Sequence, residues 1–277
     1  MVTFTSEKVT DHITRIRAPK TELMYLVEGK EKAALIDTGC GFGSLAAYVK
    51  TLTEKPVVVL ITHGHLDHAM GSIEFKDVYM NLEDEYIYKE NSDKEVRLRW
   101  LNSPPVLPDF EQEDFLDPAP LSHYKDMQEG DHFDLGGINI DIYSCPGHTL
   151  GSVVMLMREE RVLLTGDACN SFCFMFGDYS TSIEQYKRNL EKLLPKVQGK
   201  YDRVLSSHAT GDLSVSVIEE SIEVCDDLLE GKGAGLEFHF NGETAYIAEP
   251  VDAESRQRID GKCANIVYNK NNIFENQ

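Results

Sequence analysis

Val57-Val58-Val59-Leu60-Ile61-Thr62-His63-Gly64-His65-Leu66-Asp67-His68 carries the densest chemistry in this chain. Its first five residues are apolar and mostly β-branched, the composition of a short buried strand. Four potential metal ligands, His63, His65, Asp67 and His68, then fall within six residues, ahead of Ala69-Met70-Gly71. Ligands that begin where a strand ends stand where open α/β sheets place their sites. His63 and His65 are two apart and cannot share a helix face, so the pattern is not the helical H-E-x-x-H arrangement. A loop must fold around the ion instead, and Gly64, lacking a Cβ, suits such a loop. The competing reading makes these polar loop residues, with Asp67 capping the next helix; it suits a single histidine far better than three with an aspartate. Neutral imidazole together with carboxylate suits zinc, iron or manganese.

Outward from this loop the same pattern recurs. Residues 2–5, 13–16, 23–27 and 33–36 read as short strands, the last ending in Asp37-Thr38-Gly39 before a helix over 44–50. Asp37 is either a turn residue or a carboxylate that orients a ligand histidine. Strand-like alternation over 138–143 ends in Cys145-Pro146-Gly147-His148-Thr149. A hairpin over 153–157 and 161–165 closes on Gly166-Asp167, and residues 204–205 run to Ser206-Ser207-His208. Three further strand ends therefore each deliver one ligand: His148, Asp167 and His208. The candidate set takes five of the nine histidines; His12, His123, His132 and His239 lie in no comparable context.

The remaining segments are less specific. Residues 78–80 read as a strand, 82–101 as one long charged helix, 183–194 as a helix ending before Pro195, and 215–229 as an amphipathic helix. Residues 102–120 hold five of the ten prolines and form neither regular helix nor central strand. A loop this long between two ligand clusters reads as a wall of the substrate cleft or as an irregular surface crossing. Strands over 236–240 and 244–248 flank the hairpin signal Asn241-Gly242, and 266–268 reads as a last edge strand.

Chain-wide properties narrow the function. The 277 residues, 42% hydrophobic and 27% charged, suit a soluble globular protein with a sizeable core. No composition break marks a second domain, so residues 1–277 are expected to form one, with 82–120 inserted near the cleft and 213–277 as a helix and strand extension. Twenty-seven Lys and Arg against 47 Asp and Glu give a net charge of −20, which disfavours nucleic acid and points to a small-molecule substrate. No apolar run approaches the roughly 18 residues of a membrane span, and the N-terminus has no signal-peptide pattern, so a cytoplasmic location is expected. The six cysteines show no C-x-x-C spacing; Cys169 and Cys173 read as buried free thiols rather than a redox pair or ligands.

With these motifs assembled, the chain resembles the metallo-β-lactamase superfamily. His63-x-His65-x-Asp67-His68 is similar to the family's H-x-H-x-D-H signature, Pro146-Gly147-His148-Thr149 to its P-G-H-T turn, Thr165-Gly166-Asp167 to its G-D step, and Ser207-His208 to its final histidine. Asp37-Thr38-Gly39 resembles the D-T-G turn that precedes the signature. The resemblance covers roughly residues 10 to 210. It implies an αβ/βα sandwich, two mixed sheets packed together with helices outside. It also implies two metal ions, zinc first and iron or manganese as alternatives. His63, His65 and His148 would hold the first, Asp67, His68 and His208 the second, and Asp167 would bridge them, with Asp37 behind the ligands.

Two divalent ions against two ligand carboxylates leave the site near +2, able to attract an anionic substrate, activate water and polarise a carbonyl or phosphoryl oxygen. A protonated water or Asp67 would pass a proton to the leaving group. The expected activity is hydrolysis of a small carboxylic ester, thioester or lactone, with β-lactams and phosphodiesters as alternatives. Glyoxalase II relatives end in a helical substrate domain, whereas the tail here reads as strand; lactonase relatives carry Tyr three residues after the bridging Asp, where this chain has Asn170. Readings of another class are a flavodiiron-like oxidoreductase, which usually has Glu at the position of His65, and a non-catalytic metal-binding protein.

Overall fold

The structure, a computed structural model, describes residues 4–20, 22–103, 115–240 and 242–275. Strands β1 (Thr5–Lys8), β2 (Ile13–Arg17), β3 (Leu23–Glu28), β4 (Ala33–Ile36), β5 (Val57–Leu60), β6 (Val78–Met80) and β7 (Tyr124–Asp126) form a seven-stranded sheet in chain order. It is antiparallel from β1 to β4 and parallel from β4 to β7. A second mixed sheet uses β8 (His132–Asp134), β9 (Asn139–Ser144), β10 (Val153–Met157), β11 (Val162–Leu164), β13 (Arg203–Leu205) and β14 (Asp212–Leu213), in the order β14-β13-β11-β10-β9-β8.

Alternation of side chains along each strand supplies two apolar faces per sheet. Tyr25, Ala34, Ile36, Val58 and Leu60 of the first sheet meet Ile140, Ile142, Met155, Leu164 and Leu205 of the second in a dry layer between them. The outer face of the first sheet, with Leu26, Leu35, Val59 and Ile61, is covered by α1 (Leu45–Leu52), α2 (Leu66–Ala69), α3 (Glu85–Asn91) and α4 (Lys94–Asn102). Val154, Leu156, Leu163 and Val204 of the second pack against α5 (Ile183–Val197) and α6 (Val217–Leu229). The result is the four-layer αβ/βα sandwich the resemblance implied.

A third, four-stranded sheet adds to these layers. It runs β12 (Cys173–Met175), β17 (Ile266–Tyr268), β16 (Glu243–Ile247), β15 (Leu236–Phe240). Residues 266–268 were expected at an edge, but β17 is interior, parallel to β12 and antiparallel to β16, because the short strand β12 supplies its other neighbour. Residue 241 of the hairpin signal lies outside the described residues, though β15 and β16 pair around that point.

Other differences have local causes. The helix expected over 82–101 is broken at Ser92-Asp93, because the Asp93 carboxylate accepts the Glu95 and Val96 N–H groups at 2.9 and 3.2 Å and starts α4 afresh. Helix α5 does not stop before Pro195; it continues to Val197, and Gln198 N–H donates to Leu194 O at 2.8 Å. Of the strand expected over 2–5, residues 2 and 3 lie outside the described residues; β1 is seen at Thr5–Lys8, where pairing with β2 rather than apolar content holds it, since all four residues are exposed. Residues 104–114, most of the proline-rich segment, lie outside the described residues. Among the described residues no helix is long and apolar enough to cross a membrane.

Candidate metal centre

Five strand ends converge on one cleft. Asp37 follows β4 directly, His63 stands three residues after β5, His148 four after β9, and Asp167 and His208 three after β11 and β13. His65 is the N-cap of α2, and Asp67 and His68 lie within that helix; Asp67 is therefore in the first turn rather than at the cap. All seven sequence-derived ligand candidates meet here. Their ligand atoms form three groups, each within 4.8 Å: His63, His65 and His148; Asp67, His68 and His208; and His63, His68 and Asp167. Oδ2 of Asp167 lies 3.1 Å from His208 Nε2, 3.7 Å from His68 Nε2 and 3.9 Å from His148 Nε2, touching both sides of the cluster.

Hydrogen bonds at the outer ring nitrogens decide what the histidines present inward. His148 Nδ1 donates to the Phe174 carbonyl at 2.7 Å, and His68 Nδ1 to Asp37 Oδ2 at 2.8 Å. Thr62 Oγ1 gives its own proton to Asp37 Oδ2 at 2.9 Å and accepts from His63 Nδ1 at 3.1 Å. With Nδ1 protonated, the neutral form of each ring points its Nε2 lone pair into the cleft. The Nε2 atoms of His63 and His68 and Oδ1 of Asp167 are buried with no hydrogen-bond partner. Buried polar atoms are rarely left so. Three such atoms, two from the segment after β5 and one from the turn after β11, converge within reach of one another, and this donor set fits a metal.

The electrostatics agree. Burial lowers the pKa of His63, aided by His68, His148 and His65. It likewise lowers His65 and His148. These three rings are held neutral, as ligands must be. Burial also opposes charge on His68, but Asp67, Asp37 and Asp167 together outweigh it and hold His68 well above its ordinary value. For His208 burial is again overcome, by Asp167 and Asp67, and its pKa rises to about 9. Burial raises Asp167, yet His208 and His68 pull it well below the usual carboxylate range. The carboxylate side of the cluster thus demands positive charge, which protons supply here and a metal ion would replace.

Behind these groups stand two buried carboxylates. Asp37 also accepts Thr62 N–H at 2.7 Å and Ser207 Oγ–H at 3.2 Å, tying the loops of His63 and His208 together, and takes a left-handed φ of 63° to do so. Asp84 was not foreseen. It accepts Gly64 N–H at 2.8 Å, Thr149 Oγ1–H at 2.7 Å and Gly151 N–H at 2.6 Å, joining the His63–His68 loop to the His148 turn. Burial raises its pKa and these three hydrogen bonds oppose the rise. In sequence it stands in the acidic run Glu83-Asp84-Glu85 and carries no signal. Cys169 and Cys173 are buried free thiols.

The model of the family described as the metallo-beta-lactamase superfamily matches residues 18–208. The acyl-coenzyme A thioesterase MBLAC2 of Gallus gallus is 25% identical over 199 residues, 67% of this chain and 71% of its own length. The hydroxyacylglutathione hydrolase GloC of Haemophilus influenzae is 29% identical over 181 residues, 61% of this chain and 76% of its own. A solved metallo-beta-lactamase from Pontibacter korlensis superposes with a TM-score of 0.56 at 20% identity, covering 80% of this chain and 98% of that one.

Proposed function

Since this chain belongs to the metallo-β-lactamase superfamily and is a hydrolase of that fold, we propose that it is a dinuclear, zinc-dependent thioesterase acting on small acyl thioesters. The observation that carries the metal reading is the convergence of His63 Nε2, His68 Nε2 and Asp167 Oδ1, buried and unpartnered, among five imidazoles and two carboxylates. The thioester reading is supported by relatives named as thioester hydrolases, of acyl-coenzyme A and of hydroxyacylglutathione. It sharpens the wider expectation of an ester, thioester or lactone, and departs from the weight first given to the strand-rich tail: Leu236–Phe240 and Glu243–Ile247 are indeed strands, but both lie outside residues 18–208, which the family model matches.

His63, His65 and His148 would hold one ion and Asp67, His68 and His208 the other, with Asp167 within reach of both. Bound divalent ions supply Lewis acidity toward the acyl oxygen and bring the pKa of water toward neutrality. Asp37 keeps His68 in the tautomer that offers Nε2, and the Phe174 carbonyl does the same for His148. Asp67 has its Oδ2 3.5 Å from His208 Nε2 and its side chain 15% exposed, so it remains in contact with solvent. It takes a proton from the attacking water and returns one to the departing sulfur. Water oxygen joins the acyl carbon as the C–S bond breaks, giving a carboxylate and a thiol. A thiol of pKa about 8.5 leaves readily, so the demand on Asp67 is modest.

The test is a substrate panel assayed on the metal-loaded protein: acyl thioesters, lactones, a chromogenic β-lactam and bis-nitrophenyl phosphate. Turnover of thioesters at least tenfold above the other classes supports the reading. Preferential turnover of a lactone, a β-lactam or the phosphodiester contradicts it.

A further inference from the structure

The third sheet carries an apolar layer on each face. Cys173 and Met175 of β12 point into the core beneath α5 and α6, as alternation requires. Phe172, Phe174 and Phe176 therefore face the other way, where they join Phe238, Ala245, Ile247, Val251 and Val267. The ring of Phe174 lies 5.2 Å from Phe176, 5.6 Å from Phe238 and 5.2 Å from Phe240, and Phe238 and Phe240 stack within 12° of parallel. These four rings form one continuous layer, and all four are only half buried. The described members of this cluster come from the strands and loops of this sheet and its flanks, with no helix above them. An antiparallel sheet with one solvated face ordinarily sets polar residues there, and a contiguous apolar face left open marks a binding surface.

This surface begins at the reaction centre. Phe174 gives its carbonyl to His148 Nδ1 at 2.7 Å, so its ring stands on the residue that aligns a ligand imidazole. The ring of Tyr179, three residues beyond Phe176, lies 4.7 Å from His65 and 6.3 Å from His148, so the same stretch of chain that carries Phe174 and Phe176 also reaches the histidines. We infer that the Phe174–Phe176–Phe238–Phe240 face seats the hydrocarbon chain of the substrate's acyl group, which makes the enzyme selective for apolar acyl thioesters over short ones. The inference rests on the thioester reading. The acyl half is the occupant because the scissile carbonyl must sit at the histidines, next to Phe174, and thiol carriers such as glutathione or coenzyme A are polar. Burying a methylene fully is worth about fourfold in affinity, and covering one side of a chain about half of that free energy. Each added carbon should therefore raise kcat/KM about twofold for as long as the chain still lies on the layer.

The experiment measures kcat/KM for acetyl, butyryl, hexanoyl and octanoyl thioesters of N-acetylcysteamine, on metal-loaded wild type and on Phe176→Ser and Phe240→Ser. Sedimentation of wild type and Phe240→Asp accompanies it. The octanoyl-to-acetyl ratio is internal to each protein, so a loss of folded fraction cancels. A ratio of tens in wild type that falls at least fivefold in both serine variants supports the inference. A flat series in a wild type that does hydrolyse thioesters overturns it and leaves the thioester reading standing; no thioester turnover at all overturns both. A wild-type dimer that Phe240→Asp converts to monomer also overturns it, because the face is then covered by a second copy.

Discussion

Asp84 Oδ2 lies 2.8 Å from the backbone nitrogen of Gly64 and accepts its N–H, twenty residues along the chain from a carboxylate that also holds Thr149 and Gly151. One buried side chain thus sets the spacing between the loop of His63 and His65 and the turn of His148. Asp84→Ala leaves the buried N–H groups of Gly64 and Gly151 without an acceptor, while Thr149 Oγ1 keeps Ser152 Oγ at 2.8 Å, a loss of about 2 kcal/mol or more in stability. Looser loops should also cost at least tenfold in kcat/KM. Asp84→Asn, which keeps one accepting oxygen, should fall between. Thermal unfolding and steady-state kinetics on the three proteins check the order.

Asp37 acts on the other side of the cluster, through His68. Asp37→Asn removes the charge that holds His68 Nδ1–H while preserving shape, and should weaken metal binding about 10–100-fold. Chelator competition measures this directly. Unchanged affinity would show that Asp37 serves the fold alone.

Gly147 is required by space rather than by backbone angle. A Cβ there would stand 2.2 Å from Cδ2 of Tyr186, whose ring is fully buried and whose hydroxyl donates to Ala168 O at 2.5 Å. Gly147→Ala must push either His148 or α5, and should cost about 1–3 kcal/mol. Shortening the opposing ring in the double variant Gly147→Ala/Tyr186→Leu should return part of that loss, which chemical denaturation of the single and double variants measures.

Acid stability has an identifiable contributor outside the candidate ligand set, on β14, the strand that follows the His208 turn. Burial raises the pKa of Asp212, but hydrogen bonds from Arg15 and Arg203 outweigh it and hold the group below its ordinary value. Arg15 Nη2 donates to Asp212 Oδ2 at 2.7 Å and Nη1 to Glu7 Oε1 at 3.0 Å, pinning β2 to β14 across the two main sheets. A carboxylate with a depressed folded pKa stabilises above its unfolded value of about 3.9 and loses that contribution as pH falls through the folded value. Asp212→Asn should therefore lower Tm at pH 7, and the gap to wild type should close below about pH 4. A gap that persists in acid would contradict the assignment.

What was legible in the sequence follows from how locally each feature is written. The candidate ligands were legible because metal binding needs few residue types, and here those types stand just beyond strand-like segments. The two main sheets and four layers were implied by the resemblance that these motifs carry, not by the strands alone. Asp84 was not legible, since its partners are two backbone N–H groups and a threonine that only folding brings near. The Phe174 carbonyl that orients His148 is invisible for a similar reason: every residue has a carbonyl. Strands β7, β8, β12 and β14 were missed because they are two or three residues long and hold no β-branched residue, whereas the equally short β6, β13 and β17 were legible through Val78, Val204 and Ile266-Val267. Missing β12 is also why β17 was expected at an edge. Helix propensity over 82–101 outweighed the Asp93 cap, a single residue that restarts the helix.

The most direct test of the account is metal content by elemental mass spectrometry, on protein purified without added metal and then loaded with zinc, for wild type, His65→Ala and Asp167→Ala. Near two equivalents per loaded wild-type chain, with fewer in both variants and thioester turnover lost alongside, is the expected result. No bound metal in wild type, or undiminished stoichiometry in both variants, would contradict the claim that His63, His65, Asp67, His68, His148, Asp167 and His208 form one metal centre.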